Sequence, residues 1–228
     1  MPSLSEQLAL QVSLDVEARF DTFFAGHNAT VVEALQAIPA PGVWLAGASG
    51  SGRSHLLQAA AAMHAAGDAF YLPLAGDLPS DAIDGLPGTL LVCLDDVDRV
   101  ATDATWEQQL FALYERIVAA GGRLVLSAPS RPNRCGFALA DLISRFQSLA
   151  LFRLHTLDDD GLKSALEMRA RARGLTMTSA AVGYLLKHLP RSMPVLLDSL
   201  TQLEAQAIDT HRKLTLPFVR EQLRASDH

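Results

Sequence analysis

The sequence predicts an α/β fold, in which a domain built on a five-stranded parallel sheet is followed by a small all-α domain. A glycine-rich stretch, Gly47 to Ser54, lies between a short apolar run and a segment of helix-forming residues. Apolar runs and helix-like segments alternate up to about residue 155, as in parallel sheets with right-handed crossovers, and only helix-like segments follow. We therefore predict an extended segment at 1–17, the α/β domain at 18–155 and the helical domain at 156–228.

Short apolar runs mark the predicted strands. They lie at 43–46, 69–72, 89–94, 123–127 and 149–154, and the third is apolar throughout, as in a strand buried on both faces. Helices of the first domain are predicted at 29–38, 55–63, 105–120 and 141–146. Those of the second are predicted at 158–171, 179–189, 195–213 and 217–224. Asn28 and Ser179 are the predicted N-caps of the helices at 29 and 179.

The glycine-rich stretch has the spacing of a phosphate-binding loop, G-x-x-x-x-G-K-[ST], with Arg53 in place of Lys. A strand, a glycine-rich turn and a helix N-terminus direct backbone N–H groups and the helix dipole toward an anion. Lys places a compact charge between the outer phosphates, whereas Arg carries a bulkier planar guanidinium. Arg53 is therefore compatible with nucleotide binding and unfavourable for fast hydrolysis. The alternative is a glycine-rich turn that binds nothing. The predicted nucleotide contacts in the loop are Gly47, Ser49, Gly50, Ser51, Gly52, Arg53, Ser54 and His55.

A pair of acids, Asp95 and Asp96, ends the third apolar run. A carboxylate at the C-terminal end of a buried parallel strand can hold Mg²⁺ through water beside a nucleotide, as in a Walker B motif. We assign Asp95 to the metal side, together with Ser54, and Asp96 to the position that orients the attacking water in hydrolytic proteins. The pattern is a weak signal alone and gains weight from the phosphate loop upstream.

Composition excludes several classes of protein. The 228 residues carry a net charge of −6 and no block of Lys or Arg, so a dedicated nucleic-acid-binding surface is not expected. Cys93 and Cys135 lack metal-ligand or CxxC spacing, Cys93 is predicted to be buried, and such thiols indicate a reducing cytoplasm. The seven histidines form no ligand motif, and neither a signal sequence nor a membrane-spanning run is present.

Two stretches near the N-terminus each admit two interpretations. Gln7 to Val12 places spaced aliphatic residues after a Gln, which suits addition to a partner as an extended peptide, although composition alone favours a frayed terminus. Phe20 and Phe23 precede a Gly-His-Asn turn, where aromatic rings either pack on a nucleotide base or seal the edge of a core. The core interpretation is the simpler one for these rings.

The layout and the motifs together resemble the AAA+ family, and within its DnaA branch the Hda group of regulators. The resemblance spans nearly the whole chain and rests on the stretches at 20–28, 47–55, 91–96, 141–146 and 212–219. It implies a helical lid after the sheet domain, ADP or another nucleoside diphosphate in the loop, possible Mg²⁺, and an adenine-side position for Phe20 and Phe23. It also implies a sliding-clamp-binding peptide made by Gln7, Leu8, Leu10 and Val12.

The resemblance further implies a negative regulator of chromosomal replication initiation. Its partners would be the DnaA initiator and the DNA polymerase III sliding clamp, with no membrane partner. With the clamp on DNA it would stimulate hydrolysis of DnaA-bound ATP, Arg145 acting in trans as an arginine finger. The residues alone leave a second interpretation of Arg145, a helical ion pair with Asp141. We expect no sequence-specific DNA binding, since no helix-turn-helix pattern follows the lid. The sequence is compatible with a homo-oligomer and does not fix the oligomeric state.

Two positions depart from the family pattern. Pro129 and Pro194 stand where polar first-sensor and Arg second-sensor residues are expected, with Ser127 and Arg191 as the nearest polar side chains. Together with Arg53 they predict a poor intrinsic ATPase that acts as activator of a partner ATPase. The alternatives are an autonomous ATPase or helicase loader of the DnaC/IstB type, a DnaA-like adaptor that does not bind the clamp, and a nucleotide-free scaffold.

Overall fold

Apolar runs in the first part of the chain form five strands. They are β1 Gly42–Gly47, β2 Ala69–Pro73, β3 Leu91–Asp95, β4 Arg123–Ala128 and β5 Ala150–Leu154. Neighbours are parallel throughout, in the order β2-β3-β4-β1-β5. The structure is a computed structural model that describes residues 14–65, 67–74, 78–88, 90–210 and 213–226. The predicted five-stranded parallel α/β sheet is confirmed.

The central strand β1 shows how the sheet is buried on both faces. Trp44 and Ala46 point into one apolar cluster, and Val43 and Leu45 point into the other. All six residues of β1 are buried, as expected for a parallel strand covered by helices on both sides. Because the strands are parallel, their carboxyl ends lie at the same edge of the sheet, where β1 runs into the glycine-rich loop.

Among the described residues of Met1–Thr156, the first of two compact units, four α-helices cover the sheet. They are α1 Ala29–Gln36, α2 Arg53–Ala62, α3 Ala104–Ala119 and α4 Ala140–Gln147. The carboxylate of Asp103 caps α3 by accepting the N–H groups of Thr105 and Trp106, at 2.9 and 3.1 Å. Short 3₁₀ turns connect the elements, among them Phe20–Thr22, Ser80–Ile83 and Val97–Val100. None of the described helices is long and apolar enough to cross a membrane.

Asn28 occupies the N-cap position of α1, as predicted. Its side chain makes no capping hydrogen bond to α1. Instead, the amide of the buried Asn28 pairs with the backbone of His155: its Nδ2 donates to the carbonyl at 3.0 Å and its Oδ1 accepts the N–H at 2.8 Å. The side chain is drawn away because it pairs with both backbone groups of the residue after β5.

The second unit is Leu157–His228, and its described residues form helices and one isolated β-bridge, between Met177 and Leu214. It contains α5 Asp159–Ala172, α6 Ser179–His188, α7 Met193–Thr210 and α8 Leu216–Ser226. Its core is aliphatic with one ring, and its largest buried side chains include Leu166, Leu185, Leu200 and Phe218. The predicted N-cap of α6 is one residue off: Thr178, in an extended conformation, accepts the Ala181 N–H at 3.3 Å, whereas the Ser179 hydroxyl donates to Glu167.

Candidate nucleotide-binding site

The loop between β1 and α2 has the backbone geometry of an anion cradle. Gly50 and Gly52 take the left-handed region, with φ of 76° and 95°, and α2 begins at Arg53 directly after them. A Cβ on Gly52 would lie 2.6 Å from Cε2 of Phe23, so this position needs glycine for both conformation and space. The first N–H groups of α2 lack helical partners and carry the positive end of the helix dipole. The loop thus fits a phosphate group.

The predicted contact residues of the loop differ in exposure. Ser49, Gly50 and Ser54 are exposed, so the tip of the loop is open to solvent. Ser51 is buried, and its hydroxyl has no hydrogen-bond partner among the described residues. A Cβ on Gly47 would lie 2.5 Å from that hydroxyl, which shows how closely the loop closes on itself there. An unpartnered buried hydroxyl is costly, and a bound polar group is one way to satisfy it.

The side chain of Arg53 turns back into the protein. Its Nη1 donates to the carbonyl of Gly47 and its Nη2 donates to Oδ1 of Asp96 at 2.5 Å. The arginine side chain is only 11% exposed in this ion pair. The other carboxylate oxygen of Asp96 lies 3.4 Å from Nε of Arg99. Asp96 therefore holds the loop arginine and is itself neutralised by two guanidinium groups.

Asp95 is saturated by donors from the two flanking strands. Ser127 on β4 donates to its Oδ1, and the hydroxyl of Tyr71 on β2 donates to its Oδ2 at 3.1 Å. Ser127 also accepts the N–H of Asp96 at 2.9 Å. Burial and the charge of Asp95 raise the pKa of Tyr71 well above its usual range, so the phenol remains a donor. The sequence pointed to Ser127 through its place at the strand end, and Tyr71 was missed.

These contacts do not favour Asp95 as a direct ligand of Mg²⁺. Both of its oxygens already accept hydrogen bonds, and the residue is buried to 3% exposure. Within the described residues, no group of three or more His, Cys, Asp or Glu side chains could hold a metal ion. Mg²⁺ keeps several waters and also takes phosphate oxygens as ligands, so Ser54 and Asp95 would hold it only beside a bound nucleotide, with Asp95 acting through water.

The aromatic stretch before α1 packs against the loop. The ring of Phe23 contacts Gly52 and lies 5.4 Å from the ring of His55, centroid to centroid. Nε2 of His55 lies 2.8 Å from the carbonyl of Arg19. Phe20 and Phe23 both pack against the core cluster beneath α2, which fits the core interpretation of these rings. The predicted adenine-side residues therefore lie beside the loop.

Arg145 lies outside this cluster, on α4. Its Nε is 2.8 Å from Oε1 of Glu115 on α3, and the two side chains are 49% and 46% exposed. The ion pair predicted with Asp141 is not the one observed, because Glu115 on the neighbouring helix takes the guanidinium. The arginine is thus presented at the surface by a rigid element and held there by one solvent-exposed partner.

The remaining predicted positions fall in three places. Arg191 forms an exposed ion pair with Asp159 inside the helical unit, at 3.1 Å, and Pro194 lies in the first turn of α7. Pro129 follows the end of β4, two residues after Ser127. The peptide at Gln7, Leu8, Leu10 and Val12 lies outside the described residues.

Glu107 on α3 was missed by the sequence analysis. It is a buried carboxylate, 2% exposed, that accepts backbone N–H groups from two separate loops. The available signal was an acid three residues before Leu110 and seven before Tyr114, on the apolar stripe of a helix. Acids at such positions are seldom solvated and need internal donors.

A β2-β3-β4-β1-β5 parallel sheet, a glycine-rich loop after β1 and acids after β3 define an AAA+ type of P-loop fold, followed by a helical lid. Residues 158–223 match the family model of the Hda lid domain. The whole fold is similar to domain III of DnaA from Thermotoga maritima, with a TM-score of 0.74 at 16% identity over 94% of this chain and 98% of that chain. Residues 158–223 are therefore related to the Hda lid domain, and the chain as a whole has the AAA+ fold of the DnaA domain.

Other solved structures share the fold. The AMPPCP-bound DnaA of Aquifex aeolicus matches with a TM-score of 0.70 at 16% identity, over 95% of this chain and 71% of that one. The RuvB Holliday junction branch migration motor of Thermotoga maritima matches with a TM-score of 0.64 at 14% identity, over 91% and 73%. At such identities the structural likeness establishes the fold, while the lid match carries the relation to Hda.

Proposed function

We propose that this protein is a negative regulator of replication initiation that stimulates hydrolysis of DnaA-bound ATP, with the sliding clamp on DNA as its platform. The observation that carries the proposal is the contrast between its arginines. Arg53 is tied to Asp96, the acid in the position that orients water in hydrolytic proteins, whereas Arg145 stands half-exposed on a helix. The chain is therefore suited to hold a nucleotide and to assist hydrolysis in a partner.

The nucleotide site would hold ADP or another nucleoside diphosphate. The left-handed turn at Gly50 and Gly52 opens the first N–H groups of α2 to the phosphates, and the ring of Phe23 backs the loop from the other side. Asp96 is bound by Arg53 and Arg99, so it is not free to orient a water molecule. Bound nucleotide would then act as a structural ligand that stabilises the folded state.

Arg145 would act on the nucleotide of DnaA. An arginine placed on a transferring phosphoryl group stabilises the charge of the transition state and gives about 10³ to 10⁵ in rate. Releasing Arg145 from Glu115 costs little, because exposed ion pairs contribute less than about 1 kcal/mol. The bidentate fork of arginine suits phosphate oxygens, whereas a lysine offers only a point charge.

The N-terminal peptide would dock on the clamp. Gln7 with Leu8, Leu10 and Val12 resembles an extended clamp-binding segment, and such segments bind through spaced apolar side chains. Docking on DNA-loaded clamp would raise the local concentration of Arg145 near DnaA by tethering. This step predicts that Gln7→Ala lowers the stimulated rate only when clamp is present.

The test uses DnaA preloaded with labelled ATP, together with clamp loaded on DNA. Hydrolysis is followed without addition, with the unsubstituted chain, and with its Arg145→Ala variant. Arg153→Ala is the matched control, since Arg153 is also an exposed arginine but lies on β5. We expect stimulation by the unsubstituted chain and the control, and a rate about 10³ lower with Arg145→Ala.

Other results would select the alternatives. No stimulation by any form, together with steady-state hydrolysis by the chain alone, would replace the proposal with a loader-type ATPase. Stimulation that does not need clamp, and survives Gln7→Ala, would indicate a DnaA-like adaptor. A melting temperature that does not rise with ADP would indicate a nucleotide-free scaffold.

A further inference from the structure

One buried carboxylate joins the loop after β3 to the helix that carries Arg145. Glu107 is on the first part of α3, and its Oε1 accepts the N–H of Thr102 at 2.9 Å. Both of its oxygens lie 3.0 Å from the N–H of Ala138, and Oε2 accepts the N–H of Leu139 at 2.6 Å. Leu139 is the N-cap residue of α4. The two segments are separated in sequence and share this side chain.

The position of α4 depends on this carboxylate. Leu139 makes no side-chain capping bond of its own, so the N-terminus of α4 has no local cap. Glu107 supplies the acceptors from outside the helix, and its negative charge lies at the positive end of the α4 dipole. Leu139, Leu142 and Ile143 add apolar packing of the helix start on the core. Removing the carboxylate would leave buried N–H groups unpaired.

The Glu107 carboxylate also holds the loop after β3 in an unfavourable backbone conformation. Thr102 has φ of 73°, which is uncommon for a β-branched residue, and its N–H is the one that Glu107 accepts. At the other end of this loop Asp96, with φ of 55°, is held by Arg53 and by Ser127. Strained backbone that is over-determined by its surroundings is typical of functional segments.

We infer that Glu107 is a positioning residue for Arg145: it fixes the N-terminus of α4 against the loop that begins at Asp96, and so sets where the Arg145 guanidinium is presented. This inference rests on the proposed function, because it concerns the same trans hydrolysis. The residue acts through the backbone of Ala138 and Leu139 and touches no substrate. Its loss should therefore lower the rate of the assembled complex and not its assembly.

The experiment compares Glu107→Gln with Glu115→Gln in the DnaA–ATP hydrolysis assay with clamp on DNA. The first variant keeps the size of the side chain and turns an NH₂ group toward backbone donors. The second removes the direct, exposed partner of Arg145 and is the matched control. Each is titrated, so that the maximal stimulated rate is separated from the half-saturating concentration, and the ADP-dependent melting shift reports the fold.

We expect Glu107→Gln to lower the maximal rate at least tenfold, with a half-saturating concentration within twofold of the unsubstituted chain and the ADP shift retained. Glu115→Gln, the control, should stay within twofold of the unsubstituted chain in both the maximal rate and the half-saturating concentration. In an Arg145→Ala background, Glu107→Gln should add no further loss, because the two residues act as one unit. A residue that only stabilised the fold would lower the residual rate in that background too.

Three results would overturn the inference: a maximal rate within twofold of the unsubstituted chain, a loss confined to the half-saturating concentration, or a further loss in the Arg145→Ala background. If Glu107→Gln does not fold, Leu139→Pro decides by the same criteria. It deletes one donor while the carboxylate stays, and the φ of −75° at Leu139 accommodates proline. If the unsubstituted chain gives no stimulation, the proposed function fails together with the inference. This result is distinct from a failure of the inference alone, in which the unsubstituted chain still stimulates hydrolysis.

Discussion

Two arginines of the first unit occupy opposite environments. The side chain of Arg53 is 11% exposed and donates hydrogen bonds inside the loop, to the Gly47 carbonyl and the Asp96 carboxylate. Arg145 is 49% exposed and has one partner at the surface, Glu115. A guanidinium that is desolvated and doubly hydrogen-bonded is part of the architecture, whereas one held by a screened surface pair is available to another molecule. Under the proposed function, Arg53 would shape the nucleotide-binding loop, whereas Arg145 would act on the nucleotide of a partner.

The largest expected effect tests the exposed member of the comparison. Arg145→Ala should lower the stimulated hydrolysis of DnaA-bound ATP by about 10³, because a positioned arginine on the phosphoryl group is lost. Its free energy of unfolding should change by less than about 1 kcal/mol, since only a surface ion pair is removed. Urea titration measures the second quantity. A loss of rate that came with a comparable loss of stability would contradict this division of roles.

The rigid region is tested by a pair of glycines. Gly52→Ala should lower the free energy of unfolding by about 2–4 kcal/mol, because it adds a left-handed penalty to a clash with Phe23. Gly50→Ala is the matched control: its φ is also positive, but a Cβ there meets nothing within 4 Å, so about 1–2 kcal/mol is expected. Equal losses in the two variants would show that the contact with Phe23 does not constrain the loop.

Removing the buried member of the comparison should cost stability. Arg53→Ala leaves the Gly47 carbonyl and the part-buried Asp96 short of a donor, so we expect a loss of about 1–3 kcal/mol in the free energy of unfolding. Urea unfolding of Arg53→Ala and of the double variant Arg53→Ala/Asp96→Ala measures the coupling. The double variant should recover part of the loss, and strict additivity would argue that the two groups do not interact.

The smallest expected effect is that of the surface partner. Glu115→Gln removes the carboxylate that holds Arg145, and should change the free energy of unfolding by less than about 0.5 kcal/mol, because both side chains are about half exposed. High salt should remove whatever difference is seen. A change above about 1 kcal/mol would show that Arg145 is fixed more firmly than the comparison with Arg53 assumes.

The regular elements and the loop could be predicted because their signals are local. The apolar runs around Val43 and Val92 indicate buried strands, and the spacing Gly47-x₄-Gly52 fixes the turn after the first of them. Each of these patterns spans fewer than ten residues, and the structure has all of them. Boundaries moved by one to three residues, as at α1, which ends at Gln36 and not at residue 38.

What could not be predicted depends on pairs that only the fold brings together. Asn28 looks like a helix cap until His155 is placed beside it, and Arg145 looks like a partner of Asp141 until α3 presents Glu115. Glu107 receives a donor 31 residues away in sequence, at Ala138. A single sequence carries no signal for the identity of such partners, although an acid on an apolar helix face signals that some internal partner exists.

The Asn28–His155 pair has a kinetic consequence. It joins backbone and side chain across 127 positions, nearly the whole span of the first unit. Closing a loop of that length costs about 4 kcal/mol of chain entropy, so the two hydrogen bonds form only after the sheet has assembled. Asn28→Ala should therefore speed unfolding in stopped-flow measurements and leave the folding rate unchanged. The buried amide of Asn28 would then set how long the unit stays folded, and not how fast it folds.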